Sequence, residues 1–296
     1  MAISRVTHQM MTQRAGSNLQ NNLQRLAEIQ EHLSTGRRLN RPSDSPTDAS
    51  TAMRLRSSLA DHHQYVRNAE DGLGWLGQID STLQGVSTAV RRAYDLALQG
   101  SNTGSMGDQA REALAQEIDQ IREGIIDSAN TTYLDRPVFG GLTPGSVAYD
   151  ADGQFVGTPG AVERTVADGV TIRVDADAAA TFGPPGASVF DVLADLSTAL
   201  RNNDADAIAQ GVDASKAALD RITSSLSEVG LRYARVDQAA QSARDAVLDL
   251  TSSLSGVESA DLPSTLVELQ MQEVAYQAAL AATARVLQPS LVSFLR

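Results

Sequence analysis

The chain has 296 residues, 42% of them hydrophobic and 20% charged, so it can bury a core and is not disordered by composition. Its length suggests about two domains. A net charge of −12 argues against nucleic-acid binding, and the absence of cysteine removes disulfides, thiolate metal sites and a cysteine nucleophile.

The charge is uneven. Residues 1–56 hold eight arginines against four acids, whereas residues 143–213 hold three against eleven. A basic end and an acidic middle suggest different neighbours. Aromatics are only 4%, while alanine and leucine abound, a mix that favours long helices packed through small and aliphatic side chains. The start, Met1-Ala-Ile-Ser-Arg5, has no apolar run behind its arginine, so no cleavable secretory signal is expected. No stretch approaches the roughly 20 apolar residues of a membrane span.

In chain order, Leu19, Leu23, Leu26 and Leu33 share one face of an N-terminal helix. Leu76, Ile79, Leu83, Val86, Val90, Ala93 and Ala97 form a 3-4 stripe that ends at a Gly/Ser/Asn-rich turn over 100–107. Asp108 is the expected N-cap of the next helix, whose stripe is Ala110, Leu114, Ile118, Ile121 and Ile125. Residues 137–187 change character. They hold most of the nine prolines, Gly140-Gly141 and the alternating run Val170-Thr-Ile-Arg-Val174, which predict a small β-rich insert.

Residues 208–257 carry the strongest signal. Positions 208, 212, 215, 219, 222, 226, 229, 233, 236, 240, 243, 247, 250, 254 and 257 keep an unbroken 4-3 spacing, and all but Ser215 are hydrophobic. This is the pattern of a coiled-coil seam on a helix about 75 Å long. Leu219, Ile222, Leu226, Val229, Tyr233 and Val236 are its expected core positions. At the far end, Leu266, Leu269, Tyr276, Leu280 and Leu287 make one stripe and Val267, Met271, Val274, Ala278 and Ala281 a second. A helix apolar on two faces cannot satisfy both against one partner helix, so burial is expected to be completed when subunits assemble.

A catalytic constellation is missing. His62-His63 has no HExxH run around it, and adjacent helical residues point about 100° apart, a poor geometry for joint ligation. Asp150-Ala-Asp152-Gly153 lacks the later glutamate of a calcium loop. Gly72-Leu-Gly74 precedes a helical stripe rather than following a strand, so it is no dinucleotide fingerprint. Neither a catalytic residue nor a cofactor or metal site is expected.

Leu33-Ser-Thr-Gly-Arg-Arg-Leu-Asn-Arg-Pro-Ser-Asp44, and residues 258–296, ending Ser293-Phe-Leu-Arg296, resemble the N- and C-terminal signatures of the flagellin superfamily. Asn130-Thr-Thr-Tyr-Leu-Asp-Arg-Pro-Val-Phe-Gly-Gly141 resembles the segment before its variable region, and Val229-Gly-Leu-Arg-Tyr-Ala-Arg-Val-Asp237 its glycine-containing heptad break. Arg41-Pro-Ser-Asp-Ser-Pro46 is the form usual in the hook–filament junction branch rather than in flagellins.

The resemblance implies a mainly α fold, a long-helix coiled-coil rod or bundle with a small β-rich inserted domain and paired N- and C-terminal helices. Residues 1–56 with 258–296 would be the terminal polymerisation region, 57–136 with 188–257 the helical bundle, and 137–187 the outer domain. It implies a secreted structural role at the hook–filament junction of the bacterial flagellum, reached by type III export. The partners would be flagellin, hook-associated protein 1, copies of the chain in a ring and an export chaperone, with no nucleic acid and no membrane. The implied assembly residues are Leu19, Leu23, Leu26, Leu33, Leu280, Leu287, Leu291, Phe294 and Leu295. The alternative is a small flagellin that forms the filament itself, which self-polymerisation of the purified protein would distinguish. An enzymatic insert is the rival of another class, but residues 137–187 contain no histidine and a single glutamate, Glu163.

Overall fold

The structure, a computed structural model, describes residues 2–101 and 107–287, with side chains at Met10 and, within those ranges, from 13 to 284. The described chain is mainly helical. Its order is α1 (Ala2–Thr35), α2 (Pro46–Ser101), α3 (Asp108–Ala129), β1 (Thr132–Tyr133), β2 (Arg136–Pro137), β3 (Glu163–Ala167), β4 (Val170–Arg173), α4 (Ala178–Phe182), α5 (Val189–Asn202), α6 (Ala205–Glu258) and α7 (Leu262–Leu287). The strands form two antiparallel pairs, β1–β2 and β3–β4. The chain divides into two compact units, one from its two ends, up to Ala60 and from Leu248, and one from Asp61 to Val247.

Within the Asp61–Val247 unit the 3-4 stripe of α2 is the core. Leu76, Ile79, Leu83, Val86, Val90, Ala93 and Ala97 are each no more than 1% exposed. Leu114, Ile118 and Ile125 of α3 join the same cluster, with Ile121 packed at its edge and Ala110 exposed. Helix α3 departs from expectation at its start. Its N-cap is Gly107 and no side chain caps it; Asp108 is the first helical residue and pairs instead with Arg111. An acid in the first turn still complements the helix dipole.

Helix α6 shows the seven-residue repeat directly. Ile208, Ser215, Ile222, Val229, Val236 and Ala243 are all buried, one per heptad. Leu219 and Leu226 are only partly buried against the core. Tyr233 corrects the sequence reading, because it is 42% exposed. Next to it the β3–β4 hairpin lies beside α6, where Arg232 donates to the Asp175 carbonyl at 2.9 Å and Val174 approaches Gly72 of α2. The buried face of α6 there turns toward the hairpin, through Val229, Arg232 and Val236, and leaves Tyr233 at the rim.

Ser215 is the one polar residue in the seam. It is fully buried, and its Oγ has no hydrogen-bond partner among the described residues. Removing a stranded hydroxyl is favourable when a small apolar side chain takes its place. Ser215→Ala is therefore expected to raise stability by about 1 kcal/mol in a urea melt; a loss of that size would mean that the hydroxyl has a partner.

The insert shares its core with the helices. Phe139, Tyr149, Phe182 and Phe190 meet edge-on or tilted, with ring centroids 5.0–5.5 Å apart. Asn130, at the end of α3, fastens the insert. Its Oδ1 accepts from the amides of Ala148 and Tyr149 at 2.8 and 2.9 Å, and its Nδ2 donates to the Tyr149 carbonyl. The β1–β2 turn places Leu134 and Asp135 at φ +49° and +61°, a strained conformation for non-glycine residues. Packing holds it there. Tyr133 lies against Gly74 and meets Trp75 edge-on at 5.8 Å, while Arg136 sits over the Trp75 ring. Gly72 and Gly74 are thus contact glycines, admitting Val174 and Tyr133.

Helix α5 opens on a capping box between Ser188 and Asp191. It ends at Asn203 in the left-handed region, and the Asp204 carboxylate then accepts from the Asp206 and Ala207 amides to start α6.

Candidate assembly surface

The end-formed unit is held by a clasp built from the Gly-Arg-Arg turn. Gly36, at φ +67°, ends α1 and turns the chain so that its carbonyl accepts from the Ala260 amide at 3.0 Å. Arg37 bridges to Ser259, and the Arg38 amide donates to the Glu258 carbonyl at 2.7 Å. The Glu258 side chain is buried, with Arg56 at 2.6 Å and Arg37 at 3.8 Å. Beyond the clasp, the Asp44 carboxylate accepts from the Arg41 and Asn40 amides at 2.7 and 3.0 Å. Those backbone donors, the Arg41 one foremost, hold its pKa below the ordinary value of 3.8.

From the clasp α1 and α7 run antiparallel and pack on each other. On α1 the covered positions are Ala15, Leu19, Asn22, Leu26, Ile29 and Leu33, and on α7 Thr265, Leu269, Gln272, Tyr276, Ala279 and Thr283. Both sets keep a 4-3 spacing, the mark of a two-helix seam. The Gln272 side chain reaches across it to the carbonyl and Oδ1 of Asn22 at 3.2 and 3.4 Å.

The seam re-sorts the expected assembly residues. Leu19, Leu26 and Leu33 are covered along α7 within the chain, and only Leu23 of that set is open, at 42% exposed. Leu280 is likewise 42% exposed. The side chain of Leu287 and the whole of Leu291, Phe294 and Leu295 lie outside the described residues. The second α7 stripe stays open: Val267, Met271 and Val274 are 54–66% exposed, and Ala278 and Ala281 are exposed with them. Sequence reasoning missed Ile29, Asn22, Gln272 and Glu258. Carrying the 4-3 spacing through polar positions would have found the middle two.

Of the candidate chemistry, His62 is partly buried and meets Tyr65 edge-on, while His63 is exposed. Among the described residues no group of three or more His, Asp or Glu is placed to hold a metal ion, and no helix is long and apolar enough to cross a membrane.

Residues 6–137 match the bacterial flagellin N-terminal helical region. The chain is 25% identical to flagellar hook-associated protein 3 of Escherichia coli, over 93% of this chain and 94% of that protein. The crystal structure of Bacillus cereus FlgL superposes with a TM-score of 0.59 at 26% identity, covering 68% of this chain and 99% of that one. Over its N-terminal part the chain is thus similar to bacterial flagellins, and over nearly its full length to flagellar hook-associated protein 3. A hook-associated protein described as putative, from Vibrio parahaemolyticus, shares the fold at 21% identity and a TM-score of 0.64, over 73% of this chain and all of that one. Gly36, Arg37, Arg38 and Asn130 all lie within the matched N-terminal region.

Proposed function

We propose that the chain is a structural subunit of the bacterial flagellum that forms the junction ring joining the hook, through hook-associated protein 1, to the flagellin filament. The observation that carries this reading is the open apolar stripe Val267, Met271, Val274, which the α1–α7 seam leaves uncovered. Likeness to proteins named for association with the hook supports the location. In this reading copies of the chain cover the stripe of their neighbours. The subunit leaves the cell by the flagellar type III route, accompanied by an export chaperone until it assembles.

The double variant Val267→Asp with Val274→Asp tests it. Both positions are exposed in the single chain, so its melt should change by no more than about 0.5 kcal/mol. In the ring the same carboxylates would be buried without partners, at a cost of several kcal/mol. Cells carrying the variant should export it, shed unpolymerised flagellin and stop swimming. Swimming cells with intact filaments would overturn the assembly role of the stripe.

A further inference from the structure

We propose that Asn22 and Gln272 are a register lock for the terminal helix pair: the side-chain polar contact that crosses a seam otherwise built, among the described positions, of alanine, leucine, isoleucine, threonine and Tyr276, and that fixes how far α1 slides along α7. Three observations meet there. Both residues sit at covered heptad positions, and Gln272 Nε2 donates across the seam to the Asn22 main-chain carbonyl at 3.2 Å and to its Oδ1 at 3.4 Å. Most of their neighbours in the repeat, Tyr276 and Ile29 aside, carry little register information of their own. Alanine stands at 15 and 279, and leucine at 19, 26, 33 and 269, side chains that fit many facing positions equally well. A polar pair does not, because sliding the helices strands both amides among apolar groups.

Counted from Asn22–Gln272 in the antiparallel direction, Ile29 falls opposite Thr265 and Ala15 opposite Ala279. Ile29 and Thr265 are the most buried described positions of α1 and α7, as this register requires. A slip of four residues would bring Thr283 opposite Ala15 and carry the Val267–Val274 stripe along α1. The lock itself does not depend on the proposed function; its consequence for assembly does.

The chain has no cysteine, so introduced pairs report register cleanly. In the purified full-length protein, Ala15→Cys with Ala279→Cys should form an intramolecular disulfide under mild oxidation, and Ala15→Cys with Thr283→Cys should form little. Adding Asn22→Leu with Gln272→Leu should lower the first yield and raise the second by roughly five-fold, the factor that one hydrogen bond carries. The same change should raise the melting temperature of the pair, because leucine packs better than an amide there. The exchange Asn22→Gln with Gln272→Asn should restore the in-register yield. Unchanged yields in the leucine variant would overturn the lock, as would failure of the parent pair to cross-link. A lower melting temperature would reduce the contact to ordinary stabilisation. Swimming is scored separately: cells that swim with a slipped pair would remove the link to assembly and leave the lock standing.

Discussion

Replacing Phe190 by alanine is expected to destabilise the Asp61–Val247 unit by about 3–5 kcal/mol, the range for a buried phenylalanine. Its ring is fully buried, and it touches Tyr149 and Phe182 at 5.1 and 5.4 Å. Gly153 packs against its Cβ so closely that an added methyl would lie 2.6 Å away. The surroundings cannot simply collapse into the void, because Arg122 Nε donates to the Phe190 carbonyl and its Nη2 to the Asp152 carbonyl, tying α3 to both. Deleted methylene and ring contacts therefore leave a cavity as well as a lost transfer energy. A urea melt followed by far-UV circular dichroism reads the effect. Tyr233→Ala, at a rim position of α6, should change the same melt far less. A loss for Phe190→Ala no larger than for Tyr233→Ala would show that the aromatic cluster is not the keystone of the insert.

Replacing Arg56 by methionine is expected to cost about 1–2 kcal/mol, because Glu258 is buried while Arg56 itself is half exposed and solvent screens the pair. Arg56 is the near partner of Glu258, whose side chain is 7% exposed, and Arg37 stands farther off at 3.8 Å. The loss should be local. Amides of the clasp, Arg38 donating to Glu258 and Ala260 to Gly36, should exchange faster with solvent, while those of α3 and α5 keep their protection. Adding Glu258→Leu to Arg56→Met should recover most of the loss, because the carboxylate is then gone and an apolar side chain fills its site. If the double variant is as unstable as the single one, the clasp depends on the backbone bridge rather than on the ion pair.

What sequence could and could not reach follows from where each burial signal lies. The α2 stripe and the α6 heptads were legible because each element's core residues recur at helical spacing within one continuous segment. The 33–44 signature marked a family, and its physical work is the clasp, which no periodicity reveals because Glu258 lies at the other end of the chain. The insert was legible only as β-rich. Its core is aromatic, and Phe139, Tyr149, Phe182 and Phe190 meet through loops and glycine turns that carry no repeat. Tyr233 failed for a related reason: the heptad continues through it, but the buried face of α6 there runs through Val229 and Val236, with Arg232 donating to the Asp175 carbonyl, and Tyr233 stays exposed.

The terminal helices divide the two kinds of information most clearly. By itself the sequence determined that the terminal region 258–296 carries a helix with apolar residues on more than one face, and that a partner must cover at least one of them. It did not determine which face. Hydrophobicity favoured Leu266, Leu269, Tyr276, Leu280 and Leu287, yet the seam runs through Thr265, Leu269, Gln272, Tyr276, Ala279 and Thr283. When a helix is apolar nearly all round, periodicity has no preferred direction, and the choice falls to the contacts available on the partner. Tertiary structure made that choice: the clasp sets where α1 meets α7, Asn22 meets Gln272, and the leucine-rich face is left partly to solvent because α1 presents its own covered positions elsewhere.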